Sequence, residues 1–276
     1  MPWHARLTLD YTRDGERTVA RHAHEGPLRV LQTLYPEGDG IAHNVLVHPP
    51  SGIVGGDTLD IAVHAQPQAH AFITTPGASR FYRSDGEAAV QRTRIRVEAG
   101  ARVEWLPLEA IAYSGCIAEN HVLIDLAPGA ELIGWDVVAL GLPAAQQPFV
   151  RGSFLQHLEL TGKWIERGRM EAGDAALMDG PVGLASRRCI GTCFFASGEA
   201  ITPQRRDELL GLANDVVSQG GGALIAGATA PGPHVVAVRV LCDQVEPAMQ
   251  LLKRVHAAWR PAVWQLRGEA SRVWAL

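Results

Sequence analysis

Cysteine, long apolar runs and runs of basic residues are scarce or missing in this 276-residue sequence. Its four cysteines are scattered and too few for the disulfide framework of a small secreted domain. No stretch reaches the roughly 18 consecutive apolar residues that span a bilayer, and the first residues lack the apolar segment of a secretory signal. Acidic residues outnumber basic ones by 29 to 25, with no run of five basic residues. We therefore expect a cytoplasmic protein that binds neither nucleic acid nor membranes.

Recognisable catalytic and nucleotide-binding motifs are also missing. The sequence has no G-x-S-x-G nucleophile motif, no H-E-x-x-H element and no G-x-x-x-x-G-K-[ST] loop. Cys189 and Cys193 have C-x3-C spacing, but the second close pair of a four-ligand zinc site is lacking. The eleven histidines are dispersed, apart from the pair His22 and His24. We predict that the chain is not an enzyme, has no tightly bound cofactor and shows no assignable metal ligands.

A repeat of about thirty residues is the main positive feature. Each of three copies has an alternating strand, a tight turn, a second strand and a short third piece. Ala69, Ala101 and Ala130 hold equivalent positions, 32 and 29 residues apart. A repeat without an intervening helix is typical of stacked β-strand coils, either solenoid-like or as two facing sheets, and an antiparallel meander is the alternative. The sequence therefore predicts a mainly β fold.

The C-terminal part has a different pattern. Half-buried strands continue to about residue 198, and residues 199–276 are predicted to form an α-β-β-α portion of the same single domain, 1–276. Thr202 and Pro203 are typical of a helix start. Asp243 and Glu246 have the spacing of a capping box for a second helix, and Pro261 predicts its end.

Two turn segments stand out between the strands. The segment 48–57, HPPSGIVGGD, combines two prolines, three glycines and a carboxylate. Its glycines favour a tight turn or close backbone approach over direct ligand contact, with Asp57 as a turn cap. The segment 74–84, TTPGASRFYRS, has arginines and aromatic residues of the kind enriched at docking surfaces, although a turn with arginines lying along the surface explains it equally well.

Carboxylates inside apolar strands form the third unusual feature. Glu104, Glu109 and Asp136 occur in segments that are otherwise hydrophobic. A charge in such a segment is costly unless it is paired or hydrated. Either the side chains point outward in alternating strands, or they line a wet internal passage.

The turn segments 48–57 and 74–84, together with EWLPLEAI at 104–111 and the closing Arg272-x-Trp274, resemble the urease accessory protein UreD (UreH) family. The resemblance extends over nearly the whole chain. The resemblance implies a β-rich protein with two helices and no catalysis of its own. It implies a urease maturation factor that binds apo-urease and, through the accessory protein UreF, the GTPase UreG. It also implies a chaperone-like role in nickel insertion, with Ni²⁺ in transit toward the urease active site.

The resemblance also suggests roles for individual residues. The acidic positions that match the family pattern are candidates for lining a nickel passage: Asp57, Glu104, Glu109, Asp136 and Glu166. The residues that match its turn motifs are candidates for partner binding or for turn structure: His48, Gly55, Gly56, Arg80, Tyr82 and Arg83.

The chain departs from the family pattern in one segment. Leu142 and Gln146-Gln147 stand where an arginine and a glutamate are usual, so a pairing or a partner contact there is changed. Ser51 also replaces a usual glycine. Two other functions remain open on residues alone: a β-solenoid carbohydrate-active enzyme with paired carboxylates, and a general protein-interaction domain.

Overall fold

A computed structural model of the chain describes residues 2–222, 224–268 and 271–275. Its strands, in chain order, are β1 (His4–Asp14), β2 (Arg17–Glu25), β3 (Arg29–Val30), β4 (Ala42–Val47), β5 (Thr58–Ala65), β6 (His70–Thr74), β7 (Ser79–Phe81), β8 (Ala89–Val97), β9 (Arg102–Leu106), β10 (Ala110–Ala112), β11 (Ile117–Leu126), β12 (Glu131–Leu142), β13 (Gln147–Pro148), β14 (Ser153–Leu160), β15 (Trp164–Glu171), β16 (Cys189–Ser197), β17 (Ile225–Gly232) and β18 (Val235–Cys242). The α-helices are α1 (Ala175–Asp179), α2 (Pro203–Ser218) and α3 (Val245–Trp264).

The strands form two facing sheets. Sheet 1 has seven strands in the order β15-β14-β11-β8-β5-β1-β2, and sheet 2 has the main order β17-β18-β16-β12-β9-β6-β4-β3. The chain passes from one sheet to the other within each repeat, and strands β5, β8 and β11 of successive repeats pair in parallel. Strands β6, β9 and β12 do the same in sheet 2. This confirms the predicted stacked coils. The antiparallel meander is wrong for the three repeats, because equivalent strands run in the same direction.

The repeated alanines mark the corner at which each coil enters sheet 2. The amide of Arg102 donates to the carbonyl of Ala69 (2.9 Å), and that of Glu131 donates to Ala101 (3.1 Å). All three alanines, including Ala130, are fully buried. Stacking coils at this corner leaves little room, which explains the small side chain at each equivalent position.

Two hydrophobic cores result from this arrangement. The larger core lies between the sheets and contains side chains from nearly every coil. The second lies between the outer face of sheet 2 and helices α2 and α3, and includes Trp135, Leu209, Leu252 and Trp259. Each fully buried large side chain contributes roughly 1.5–3 kcal/mol, so this second core holds the helices on the sheet. Sheet 2 is therefore covered on both faces, whereas the outer face of sheet 1 carries alternate polar side chains.

The two predicted helices are confirmed, with corrections at α3. Helix α2 begins as predicted, since the hydroxyl of Thr202 accepts from the amide of Arg205 at its first turn. The capping box of α3 is wrong: Gln244 is the N-cap, no side chain caps it, and Asp243 pairs with Arg187 instead.

The predicted end of α3 at Pro261 is also wrong, because the helix continues to Trp264. The indole of Trp264 donates to Glu131 (2.6 Å) in sheet 2, and this contact anchors the last turn. Pro261 has no amide hydrogen, so the helical hydrogen bond to the carbonyl of Ala257 is missing. The segment after the helix packs against this carbonyl at Gly268, so closely that a Cβ on Gly268 would collide with it. Tertiary contacts thus compensate for the proline.

The C-terminal portion extends the β body. Strand β18 pairs with β16, which pairs with β12, so the two C-terminal strands complete sheet 2. The short helix α1 was not predicted; its N-cap is Asp174, whose carboxylate accepts from the amide of Leu177 (3.0 Å). The four cysteines are all buried free thiols, in line with the expected absence of a disulfide framework.

Candidate functional site

Polar side chains form a layer inside the core between the two sheets. From sheet 1, Gln91, Asn120 and Gln156 point inward from the neighbouring parallel strands β8, β11 and β14. Gln91 is aligned with Asn120, and Asn120 with Gln156. Because side chains alternate along a strand, these amides share the inner face with apolar neighbours such as Val122. Three adjacent amides therefore lie at one level of a mainly apolar core.

Sheet 2 supplies the opposite side of this layer. Asp136 on β12 is aligned with Thr192 on β16, and Thr192 with Arg239 on β18. Glu166 reaches them from β15 at the edge of sheet 1. We call the following residues the polar layer: Gln91, Asn120, Asp136, Gln156, Glu166, Thr192 and Arg239.

Asp136 is the centre of the hydrogen bonds within the layer. Asn120 Nδ2 donates to Asp136 Oδ2 (2.9 Å), and Gln156 Nε2 donates to Asp136 Oδ1 (2.8 Å). Gln91 Nε2 donates in turn to Asn120 Oδ1 (3.3 Å). These bonds join the two sheets and form a continuous polar line from Gln91 to Asp136.

Glu166 connects the layer to the surface. Its carboxylate accepts from Thr192 Oγ1 (2.7 Å) and from Arg239 Nε (2.7 Å). The side chain of Glu166 is 25% exposed, whereas Asp136 is only 6% exposed. The layer thus runs from a buried carboxylate to one that solvent can reach.

The electrostatics of Asp136 are unusual. Burial, and secondly the charge of Glu166, raise the pKa of Asp136 to about 7. In the part of the chain that the structure describes, no arginine, lysine or histidine forms an ion pair with it. Near neutral pH a buried carboxylate of this kind gains or loses a proton readily, and a cation would stabilise its charged form.

A cavity of about 300 Å³ adjoins the hydrogen-bonded line at Gln91, the end away from Asp136. Gln91 and Trp105 line it from inside, and His48, Arg80 and Pro49 line it near the surface. Burial lowers the pKa of His48, which favours its neutral, metal-ligating form.

One polar atom beside the layer has no partner. Thr93 Oγ1, on the inner face of β8, is buried and makes no hydrogen bond to any described residue. A buried hydroxyl without a protein partner is typical of a place where water or an ion is accommodated.

Glu104 lies elsewhere, on the outer face of sheet 2 under α3. It is fully buried and accepts from His70 Nε2 (3.0 Å), His256 Nε2 (2.6 Å) and Arg260 Nε (3.0 Å). Arg260 also bonds Glu37 (2.9 Å from Nη2). Burial alone would raise the pKa of Glu104, but the hydrogen bonds from His256 and His70 hold it well below its usual value. We call this group, Glu37, His70, Glu104, His256 and Arg260, the α3 ionic cluster.

Asp57 and Glu109 are also outside the polar layer. The carboxylate of Asp57 accepts from the amides of Trp3 (2.8 Å) and Val54 (3.0 Å), so it caps the glycine-rich turn as expected. Glu109 lies near the start of α3, where burial, and secondly the charge of Glu246, raise its pKa. Of the five predicted passage residues, the structure brings only Asp136 and Glu166 together. A passage role stays a prediction for all five.

The outward orientation considered for the strand carboxylates is wrong for Glu104 and Asp136. Their exposed fractions are 0% and 6%. Alternation does place them on opposite faces of sheet 2, but both faces of this sheet are covered, one by sheet 1 and the other by helices. Alternation alone therefore could not show which carboxylates are buried.

The glycine-rich segment packs against the second turn segment. A Cβ on Gly52 would collide with the ring of Tyr82, and one on Gly55 with Ser84. Gly56 has a φ of +89°, a conformation that favours glycine. The expected tight turn and close approach are confirmed.

The second turn segment presents its polar side chains at the surface. Arg80 and Arg83 are exposed, and Arg83 pairs with Asp85 (3.5 Å). Tyr82 is half-buried against Tyr113, with ring centres 4.8 Å apart. Tyr82 packs against Gly52 of the glycine-rich turn, and Arg80 lines the cavity. A partner-binding role for these residues stays a prediction.

Sequence reasoning missed the neutral members of the polar layer. Gln91, Asn120 and Gln156 carry no charge and match no motif, so nothing singled them out. A signal was nevertheless present, because each is a polar residue at an inward position of a strand whose other inward positions are mainly apolar.

No group of three or more His, Cys, Asp or Glu side chains within the described residues is arranged to hold a metal ion. No helix there is long and apolar enough to cross a membrane.

Comparison with known proteins identifies the family. A family model described as UreD urease accessory protein matches residues 4–275. The chain belongs to the UreD family. Proteins named Urease accessory protein UreD from Variovorax paradoxus, Albidiferax ferrireducens and Methylibium petroleiphilum are 58%, 59% and 46% identical to it. The first two alignments cover 100% of both chains, and the third covers 99% of both.

The family name bears on one of the functions left open by the sequence. These relatives are named as accessory proteins and not as enzymes, which confirms the prediction that the chain has no catalysis of its own. The role is therefore accessory to urease, and the carbohydrate-active alternative receives no support.

Proposed function

We propose that this protein promotes urease maturation by carrying Ni²⁺ through the polar layer toward apo-urease. The observation that carries the proposal is the hydrogen-bonded line from Gln91 to Asp136 in the core, with a cavity beside Gln91 and the 25% exposed Glu166 beyond Asp136. Burying polar and charged side chains in a core costs free energy that apolar side chains of similar size would not. Their alignment through stacked coils therefore supports a functional role for the polar layer.

The chemistry of the layer suits a borderline cation in transit. Ni²⁺ accepts imidazole and oxygen ligands, which His48, the amide oxygens and Asp136 can supply in turn. Transport requires sites that bind an ion weakly enough to release it. A single carboxylate among neutral amides meets this requirement, since the ion displaces the proton of Asp136 on arrival and the proton returns when it leaves.

The partners in this proposal are apo-urease and the accessory proteins UreF and UreG, with UreG bound through UreF in the cytoplasm. The family membership supports these partners, and the exposed surface around the glycine-rich turn supports a docking role. Trp3 and Val54 are 53% and 45% exposed beside the glycine-rich turn, and Arg80 and Tyr82 lie nearby. Aromatic and arginine side chains of this kind are enriched at interfaces.

The experiment replaces Asp136 by Asn and by Leu and co-expresses each variant with urease and its accessory proteins. The nickel content and the activity of purified urease are then measured. We expect both variants to lower nickel content while pull-down of urease and UreF is retained. Asp125→Asn, an exposed carboxylate on the outer face of sheet 1, is the control and should load urease normally.

Normal nickel content with both Asp136 variants would refute the passage. Loss of the pull-down together with loss of nickel would instead place the defect in partner binding. Normal urease in cells that lack this chain would refute the maturation role as a whole.

A further inference from the structure

The outer face of sheet 1 carries a histidine pair that the proposed passage does not use. His121 on β11 and His157 on β14 are aligned on neighbouring parallel strands and both point outward. Their ring centres are 5.5 Å apart, with the ring planes inclined by 49°. The side chains are 18% and 14% exposed, so they are held by their neighbours but remain open to solvent.

Each histidine is oriented by a carboxylate on its own strand. His121 Nε2 lies 3.0 Å from Glu119 Oε2, and His157 Nε2 lies 2.8 Å from Glu159 Oε2. This i, i+2 spacing places each carboxylate on the same face as its histidine. A neutral imidazole that donates Nε2–H to a carboxylate keeps a free lone pair on Nδ1. The same carboxylate–histidine arrangement orients and strengthens histidine ligands in metal sites.

We infer that His121 and His157 form a two-histidine site for a borderline divalent cation, such as Zn²⁺ or Ni²⁺, on the surface of sheet 1. Two imidazoles that bind one ion at about 2.0–2.1 Å have ring centres about 5 Å apart, close to the observed separation. The protein supplies two nitrogen ligands and water completes the coordination, because the described residues offer no third ligand side chain. The site is separate from the polar layer and does not depend on it.

Nearby arginines limit the affinity of the His121–His157 site for a cation. Arg169 pairs with Glu119 (3.3 Å), and Arg92, aligned with His121, lies 3.6 Å from Asp60. Arg167 is aligned with His157 at the end of the same row, and its charge opposes a bound cation. We therefore expect moderate, exchangeable binding and not a permanent structural ion.

The chain offers a matched control in His22 and His24. These two lie on a single strand, β2, with ring centres 6.4 Å apart. Both are exposed, and neither forms a hydrogen bond with a described carboxylate. Because their rings are not fixed in advance, binding there costs more side-chain entropy.

The test is titration of the full, metal-stripped chain with Zn²⁺ and, separately, Ni²⁺ by isothermal calorimetry. We expect one saturable ion per chain in the native sequence. His157→Ala and His157→Gln should each weaken binding at least about tenfold, and Glu159→Gln by a factor of about ten, as for other residues that orient a histidine ligand. The double variant His22→Ala/His24→Ala should bind as the native chain does.

Nitrogen NMR of the imidazoles provides a second measurement. Addition of Zn²⁺ should shift Nδ1 of His121 and His157 and leave His22 unchanged. The inference is overturned if no saturable binding occurs, if both His157 variants bind as tightly as the native chain while their thermal midpoints are unchanged, or if binding is lost in the His22/His24 variant instead.

Discussion

Replacement of Glu104 by Gln should destabilise the protein more than any surface change of the same chemistry. Glu104 is fully buried, and its carboxylate accepts hydrogen bonds from the side chains of His70, His256 and Arg260. Two of these lie on α3, 152 and 156 residues away in sequence. The carboxylate therefore joins β9 to α3 over most of the chain length.

The magnitude follows from what the substitution leaves behind. Arg260 is 1% exposed, so without the Glu104 charge it remains a buried cation, and Glu37 is its one remaining ionic partner among the residues that the structure describes. Removal of one partner from a buried pair costs about 3–5 kcal/mol. Because Glu37 still compensates part of the charge, we expect about 3 kcal/mol, a large part of the roughly 5–15 kcal/mol by which domains are stable.

The assay is equilibrium unfolding in urea, followed by tryptophan fluorescence. Trp135 lies in the core under α3, with its ring centre 5.9 Å from that of His256, and it should report the loss of this contact. Asp85→Asn, which removes the carboxylate of an exposed pair with Arg83, is the control and should leave the midpoint unchanged.

A loss below about 1 kcal/mol for Glu104→Gln, or equal losses in the two variants, would refute the structural role assigned to the α3 ionic cluster. The result also bears on nickel transfer. If the variant is destabilised as expected, reduced nickel loading in it reports partial unfolding and cannot be taken as evidence that Glu104 lines a passage.

Two further predictions concern single positions. Ser51 has a φ of +59°, a conformation that favours glycine, so Ser51→Gly should stabilise the protein by about 0.5–1 kcal/mol in thermal unfolding, whereas Ser218→Gly at the end of α2 should not stabilise it. A lower midpoint for Ser51→Gly would contradict this. Burial raises the pKa of Asp136 to about 7, so the folded state holds a proton that the unfolded state has released, and stability should fall as the pH rises from about 4 to about 7. Urea midpoints of Asp136→Asn should fall less over this range, and parallel pH profiles of variant and native chain would contradict the raised pKa.

The repeat architecture was predictable because its signals are local. Alternation within segments such as Thr58–Ala65 identifies a strand, and the glycine turns and equivalent alanines set the length of a coil. The direction of pairing was not predictable, since parallel and antiparallel strands can share one pattern of alternation. Stacking of successive coils decided it.

Local sequence patterns were enough to predict a mainly β chain, two helices after the strands, and the ordered motifs of the UreD family. Which polar residues act together depends on the folded arrangement. Asn120, Asp136 and Gln156 meet because three coils and two sheets bring them to one level, and Glu104 is separated from them because it faces the opposite side of sheet 2. A strand pattern shows that a side chain points to one face, but what covers that face depends on segments far away in the chain.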